Sequence, residues 1–110
     1  MSENTFMRTM LFDYFGDLLT EKQREYYDLH YNSDLSLYEI AEQSGVSRQA
    51  VWDIIRRGEQ TLSEIEEKTG LVAKAIRQKE LLGEITEVVK ALPEAEQKKR
   101  LLDLISRFDD

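Results

Sequence analysis

One short stretch of the sequence carries polar and basic side chains whose spacing suits contact with nucleic acid. On a helix that begins near residue 47, side chains three, four and seven positions apart share a face. Arginine pairs with guanine or phosphate and glutamine with adenine, whereas arginines further along such a helix suit the phosphate backbone. The candidate contact residues are Ser47, Arg48, Gln49, Trp52, Arg56 and Arg57.

Other kinds of chemistry find little support in the sequence. The chain has no cysteine, which excludes disulfides, thiolate nucleophiles and cysteine-ligated metal sites. Its single histidine, His30, has no sequence partner that suggests catalysis and is expected to be a surface or capping residue. Glu64, Glu66 and Glu67 suit a solvated helix face better than a metal site. We therefore expect no catalytic residue, no metal and no cofactor, and hence not an enzyme.

The net charge of −7 is unusual for a protein that binds phosphates through excess lysine and arginine. The acidity lies ahead of the candidate stretch, while residues 47–58 hold three arginines against one aspartate. This local basic strip is compatible with DNA binding. No apolar run approaches the length that spans a bilayer, and the N-terminus lacks the pattern of a signal peptide. We expect a cytoplasmic protein without membrane insertion.

The elements that would position these residues are all predicted to be helices. A stripe of apolar residues predicts a first helix over about residues 4–18, with Asn4 as its N-cap. Thr20 and Gln23 form a capping box that opens a second helix through about Tyr31. A turn is expected at residues 32–34.

A helix-turn-helix is predicted at about residues 36–58. Ser36 and Glu39 form a second capping box, Gly45 suits the left-handed end of a short helix, and Ser47 caps the next one. That helix is expected to run well past Arg57 and to end or kink at Gly70.

The remaining sequence predicts a helical C-terminal extension. A helix is expected over residues 71–92 with a bend at Gly83, and Pro93 suits the first position of a final helix. We predict an all-α protein with an N-terminal domain at residues 1–62. The extension at residues 63–110 is expected to serve packing or dimerisation, with a homodimer as the hypothesis.

Three runs of sequence carry a family resemblance. They are Thr20–Tyr31, Ser36–Ala41 and Gly45–Val51, and together they resemble region four of bacterial sigma-70-type factors. In those factors the second helix of the motif reads promoter DNA. Over its full length, with Lys22–Tyr27, Val51–Arg57 and the helical tail, the chain is similar to the YlxM family of helix-turn-helix proteins. That resemblance implies a link to the signal recognition particle pathway.

Two departures from the sigma pattern leave the function open between two hypotheses. Asp53 places a negative charge on the face that would approach phosphates, and Trp52 is large for an outward position, where it could pack or stack on a base. Arg56 and Arg57 suit a phosphate clamp or a solvated face about equally. The first hypothesis is a DNA-binding regulatory protein. The second is an accessory factor that contacts signal recognition particle RNA or protein through the same fold.

Overall fold

The computed structural model describes residues 3–108, in which six α-helices and no strand occur. The helices are α1 (Glu3–Phe15), α2 (Glu21–Tyr27), α3 (Leu37–Ser44), α4 (Arg48–Thr69), α5 (Leu71–Lys90) and α6 (Glu96–Phe108). A 3-10 turn at Gly16–Leu18 follows α1, and a π-helical turn at Asp28–Asn32 extends α2. The prediction of an all-α fold is confirmed.

The predicted capping boxes define how α2 and α3 begin. The Thr20 hydroxyl accepts a hydrogen bond from the Gln23 backbone N–H at 3.2 Å, and the Gln23 side chain accepts one from the Thr20 N–H at 3.1 Å. Ser36 and Glu39 exchange the same two bonds, each at 3.1 Å. These bonds occupy backbone donors that a helix start otherwise leaves without a partner.

The N-cap predicted for the first helix and the start predicted for the last helix are wrong. Asn4 lies inside α1, whose first described residue is Glu3, so Asn4 is not its N-cap. Pro93 lies ahead of α6, which begins at Glu96. A proline disfavours helical geometry in the residue before it, so Pro93 ends the α5 segment instead of opening α6. Gly83 lies within the continuous helix α5.

Helix α4 is the centre of the first compact unit, which extends to Val72. It contacts α1, α2 and α3. The principal core cluster joins Tyr26 of α2, Ile40 and Ala41 of α3, and Val51 and Ile55 of α4. Because three helices pack on one, the orientation of α4 fixes which of its side chains remain outside.

An aromatic contact attaches α1 to this core. The rings of Phe12 and Tyr27 are stacked, with centroids 5.1 Å apart and planes within 6°. The Tyr27 hydroxyl donates a hydrogen bond to the Arg8 carbonyl at 3.2 Å. The ring of Tyr27 is therefore buried while its hydroxyl has a hydrogen-bond partner, as is usual for a buried tyrosine.

The second compact unit begins at Ala73 and holds most of α5 together with α6. The connection between α5 and α6, called the corner below, is held by Lys98. Its ammonium donates hydrogen bonds to the Lys90 carbonyl at 3.0 Å and the Leu92 carbonyl at 3.1 Å. The same ammonium pairs with Glu94 at 2.6 Å. A cation at the end of a helix is favourable because the last carbonyls are electronegative.

Candidate nucleic-acid interface

The turn between α3 and α4 has the geometry expected of a helix-turn-helix. Gly45 has φ 69°, a left-handed conformation, and its N–H donates to the Ala41 carbonyl at 2.9 Å. The Ser47 hydroxyl then accepts from the Ala50 N–H at 3.0 Å and opens α4. The change of direction therefore takes three residues between two capped helices.

Burial divides α4 into two faces. Val51, Ile55, Gly58 and Leu62 are buried and recur every three or four residues. The predicted contact residues Ser47, Arg48, Gln49, Arg56 and Arg57 are all exposed. The structure thus leaves five of the six candidates exposed, three at the start of α4 and two further along it.

The exposed arginines of α4 are separated both along and around the helix. Arg48 and Arg56 lie about 12 Å apart along the helix axis, at about 1.5 Å per residue. Arg57 is turned about 100° from Arg56 around the axis. The two neighbouring arginines therefore point to different sides of α4.

Trp52 differs from the other candidates because it is half-buried. Its ring packs against the core cluster and lies edge-on to His30, with centroids 6.5 Å apart. Together with Leu37, Arg48 and Gln49, these two rings line a shallow recess beside the start of α4. Trp52 is thus a packing residue whose outer edge adjoins the candidate contact residues.

Gln49 already has a partner on its own helix. Its side-chain amide donates a hydrogen bond to the Asp53 carboxylate at 3.0 Å. This pair was not predicted from the sequence, although a glutamine four positions before an aspartate stabilises a helix. The pair places an exposed carboxylate among the residues that would approach DNA.

His30 is half-buried and bonds the segment just ahead of α3, so the expectation of a surface or capping residue is not confirmed. Its Nδ1 lies 2.8 Å from the Leu35 carbonyl, which can only accept, so Nδ1 carries the proton in this contact. The Leu35 N–H donates to the Leu29 carbonyl at 3.0 Å. These bonds close the connection between the π-helical turn and α3.

A cluster of Arg8, Tyr31 and Glu59 includes one residue of the π-helical turn and was not predicted from the sequence. The Tyr31 hydroxyl donates a hydrogen bond to the Glu59 carboxylate, and the Arg8 guanidinium lies 4.1 Å from the centroid of the Tyr31 ring. Burial, followed by the hydrogen bond to Glu59, raises the pKa of Tyr31 to about 12. The cluster joins α1 and the π-helical turn to α4, and no periodic pattern connects residues so far apart.

Two kinds of site do not occur in the part of the chain that the structure describes. Between residues 3 and 108, no group of three or more histidine, cysteine, aspartate or glutamate side chains is arranged to hold a metal ion. Across the same range, no helix is both long enough and apolar enough to cross a membrane.

The capped α3–turn–α4 unit, with its buried and exposed faces, defines a protein of the helix-turn-helix class. A family model described as "Putative helix-turn-helix protein, YlxM / p13 like" matches residues 2–103. The chain belongs to this family, as its sequence resemblance had indicated.

Bacterial relatives align with most or all of the chain. A protein of Halalkalibacterium halodurans is 43% identical over 109 residues, covering 99% of this chain and 100% of its own length. One from Bacillus velezensis is 41% identical over 107 residues, covering 97% of each chain. A third, from Desulforamulus reducens, is 53% identical over 76 residues, covering 69% of this chain and 65% of its own. Their names state the family and no activity.

Proposed function

We propose that this protein is a DNA-binding regulatory protein that inserts the start of α4 into the major groove. The observation that carries the proposal is the division of α4 into two faces. Its buried face is fixed by contacts with α1, α2 and α3, while Ser47, Arg48 and Gln49 remain exposed at its first turn. In helix-turn-helix proteins the N-terminal residues of the second helix contact base edges.

The proposal gives different roles to the residues of this face. Arg48 and Gln49 make sequence-reading contacts with guanine and adenine, respectively. Ser47, Arg56 and Arg57 contact phosphates and set the position of the helix without selecting a sequence. Trp52 supports the first turn of α4 from beneath and presents only an edge to the groove. The protein has no catalytic role, and its site of action is the cytoplasm.

A second candidate function rests on the charge of the surface. The protein carries a net charge of −7, and Asp53 lies in the middle of the proposed contact face. Both weaken attraction to a regular duplex. Family resemblance points to the signal recognition particle, so the alternative is an accessory factor that contacts its RNA or protein through the same fold.

Fluorescence anisotropy with labelled duplex DNA and with signal recognition particle RNA, each over a salt series, tests the two functions. The first function predicts tighter binding to DNA, with Arg48→Ala weakening it by about 5- to 150-fold, the equivalent of a bidentate base contact. Arg77→Ala, on exposed α5 surface, is the matched control and should bind as the wild type does.

The outcomes separate the candidates. Preference for the RNA would favour the accessory factor over the DNA-binding regulator. Absence of binding to either nucleic acid at low salt would contradict both nucleic-acid functions and leave contact with a protein partner. Equal binding by Arg48→Ala and wild type would remove Arg48 from the contact face.

A further inference from the structure

Helices α5 and α6 carry apolar stripes that their own unit leaves exposed. On α5, Leu81, Ile85 and Val88 are 57%, 43% and 66% exposed, at spacings of four and three residues. On α6, Leu101, Leu104 and Phe108 are 41%, 45% and 62% exposed, at spacings of three and four. Large apolar patches of this kind mark interaction surfaces. Since both stripes remain exposed in one chain, α6 does not cover the stripe of its own α5.

The net charges beside the two stripes are of opposite sign. Glu80, Glu84 and Glu87 follow the same helical spacing as the α5 stripe, one position before each apolar residue, and all are exposed. On α6, three basic residues, Lys99, Arg100 and Arg107, flank the stripe together with one acidic residue, Asp103, and all four are exposed. The margin of α6 is therefore basic in its net charge. We call Glu80, Glu84 and Glu87 the acidic margin of α5, and the charged residues beside the α6 stripe its basic margin. Two copies of this surface can pair because the acidic margin of one attracts the basic margin of the other.

A notch on α5 lies beside the acidic margin. Gly83 lines an open groove together with Leu81, the three glutamates and one basic residue, Arg77. A Cβ atom added to Gly83 would meet nothing within 4 Å, so the surrounding fold does not require a glycine there. Glycine within a helix costs about 1 kcal/mol relative to alanine. Close approach of another helix is a use for the notch that would offset this cost.

We propose that a second copy of this chain covers the surface, with α6 of each copy lying on the α5 stripe of the other. A two-fold arrangement uses the same patch twice, so each apolar stripe is covered and each acidic margin meets a basic one. Lys98 holds the corner between α5 and α6 through the Lys90 and Leu92 carbonyls, which presents α6 in a fixed direction. The proposal is independent of the proposed nucleic-acid function.

Sedimentation equilibrium of the full chain tests this dimer. The wild type is expected to have twice its monomer mass of 12.9 kDa at micromolar concentration. Two charge-reversed variants carry the test: Glu84→Arg with Glu87→Arg, and Lys99→Glu with Arg100→Glu. In a homodimer of either variant, like charges meet at both of the symmetric α5–α6 contacts. Each variant should therefore dimerise more weakly than the wild type, on the order of 100-fold. An equimolar mixture of the two restores opposite charges and should form a heterodimer.

A matched control carries the same charge change elsewhere. Arg56→Glu with Arg57→Glu, on exposed α4 surface, should dimerise as the wild type does. Circular dichroism of each variant establishes that the helices are retained, which is expected because all the altered side chains are exposed. A wild-type chain of monomer mass throughout would overturn the proposal. So would dimers that neither variant weakens, or a mixture of variants that stays monomeric.

Discussion

The side-chain amide of Gln49 donates a hydrogen bond to the carboxylate of Asp53, one turn further along α4, at 3.0 Å. The proposed adenine-reading group is therefore held by an acidic neighbour on the same exposed face. To contact a base, the amide must exchange this partner or use its remaining donor and acceptor capacity. Under the proposed function, this relationship makes Asp53 a determinant of how strongly α4 would bind nucleic acid.

Removing the charge of Asp53 is expected to strengthen binding to duplex DNA. Asp53→Asn removes the repulsion of phosphates and keeps an acceptor for Gln49, whereas Asp53→Ala also frees the Gln49 amide. We expect both variants to bind several-fold more tightly at low salt, measured by anisotropy, with the difference fading as salt screens the charges. Asp13→Asn, an exposed carboxylate of α1, is the control. Unchanged affinity in both Asp53 variants would contradict the placement of Asp53 at the interface.

Trp52 is expected to matter for stability more than for binding. The half-buried ring packs on the core cluster and on His30. Trp52→Ala should lower the free energy of unfolding by about 2 kcal/mol, less than a fully buried aromatic would. Trp52→Phe should lose less and bind nucleic acid as the wild type does. Urea unfolding followed by circular dichroism measures the first effect. A folded Trp52→Phe variant that fails to bind would instead assign Trp52 a direct contact.

The stability of the fold is expected to fall in alkaline solution. Burial and the hydrogen bond to Glu59 raise the pKa of Tyr31 to about 12 from its ordinary value of 10.0. A raised pKa means that the folded state favours the neutral phenol, so this contribution is complete below pH 10 and is lost as pH rises towards 12. Urea unfolding at pH 8 and at pH 11 measures the loss.

The same measurement on Tyr31→Phe isolates this residue. Phenylalanine cannot ionise, so the variant should lose less stability between the two pH values than the wild type loses. At neutral pH, Tyr31→Phe should be less stable by about 1–3 kcal/mol, because the Glu59 carboxylate is left partly buried without its donor. Burial also raises the pKa of Tyr27, so some alkaline loss should persist in the variant. An identical pH dependence in both proteins would argue against the Tyr31–Glu59 bond.

Alanine at two glycines of the first unit is expected to act in opposite directions. Gly45 has φ 69°, so Gly45→Ala forces a side chain into left-handed backbone and should cost about 1–2 kcal/mol. Gly58 is helical, and a Cβ there would meet the Gln23 Cβ at 3.5 Å, an ordinary contact. Gly58→Ala should therefore stabilise the fold by up to about 1 kcal/mol through helix propensity. Thermal unfolding of both variants compares them, and a shift of the same sign would contradict this explanation.

Helix starts were predictable from sequence where the signal is local. Each capping box joins residues three positions apart, and the left-handed turn at Gly45 depends mainly on glycine itself. Pro93 was misplaced because proline suits both the residues after one helix and the first residue of the next. The exposed candidates on α4 followed from helical spacing, once Val51 had been assigned to the buried side.

Contacts between distant positions were not predictable from one sequence. Tyr31 and Glu59 are 28 residues apart, and nothing in either neighbourhood indicates that they meet. Their contact depends on the packing of α2 against α4, which is set by the whole core. The π-helical turn was likewise missed, because hydrophobic spacing predicts a helix without distinguishing an α from a π turn.

The π-helical turn from Asp28 to Asn32 makes the length of this segment critical. Deleting one residue there would favour ordinary α-helical winding and rotate every later side chain in the helix by about 100°. Tyr31 would then leave Glu59, and His30 would leave the Leu35 carbonyl. Most connections between helices tolerate insertions and deletions, but the contacts of this connection require its present number of residues. A natural variant with an alignment gap at this point should also lack the tyrosine–glutamate pair.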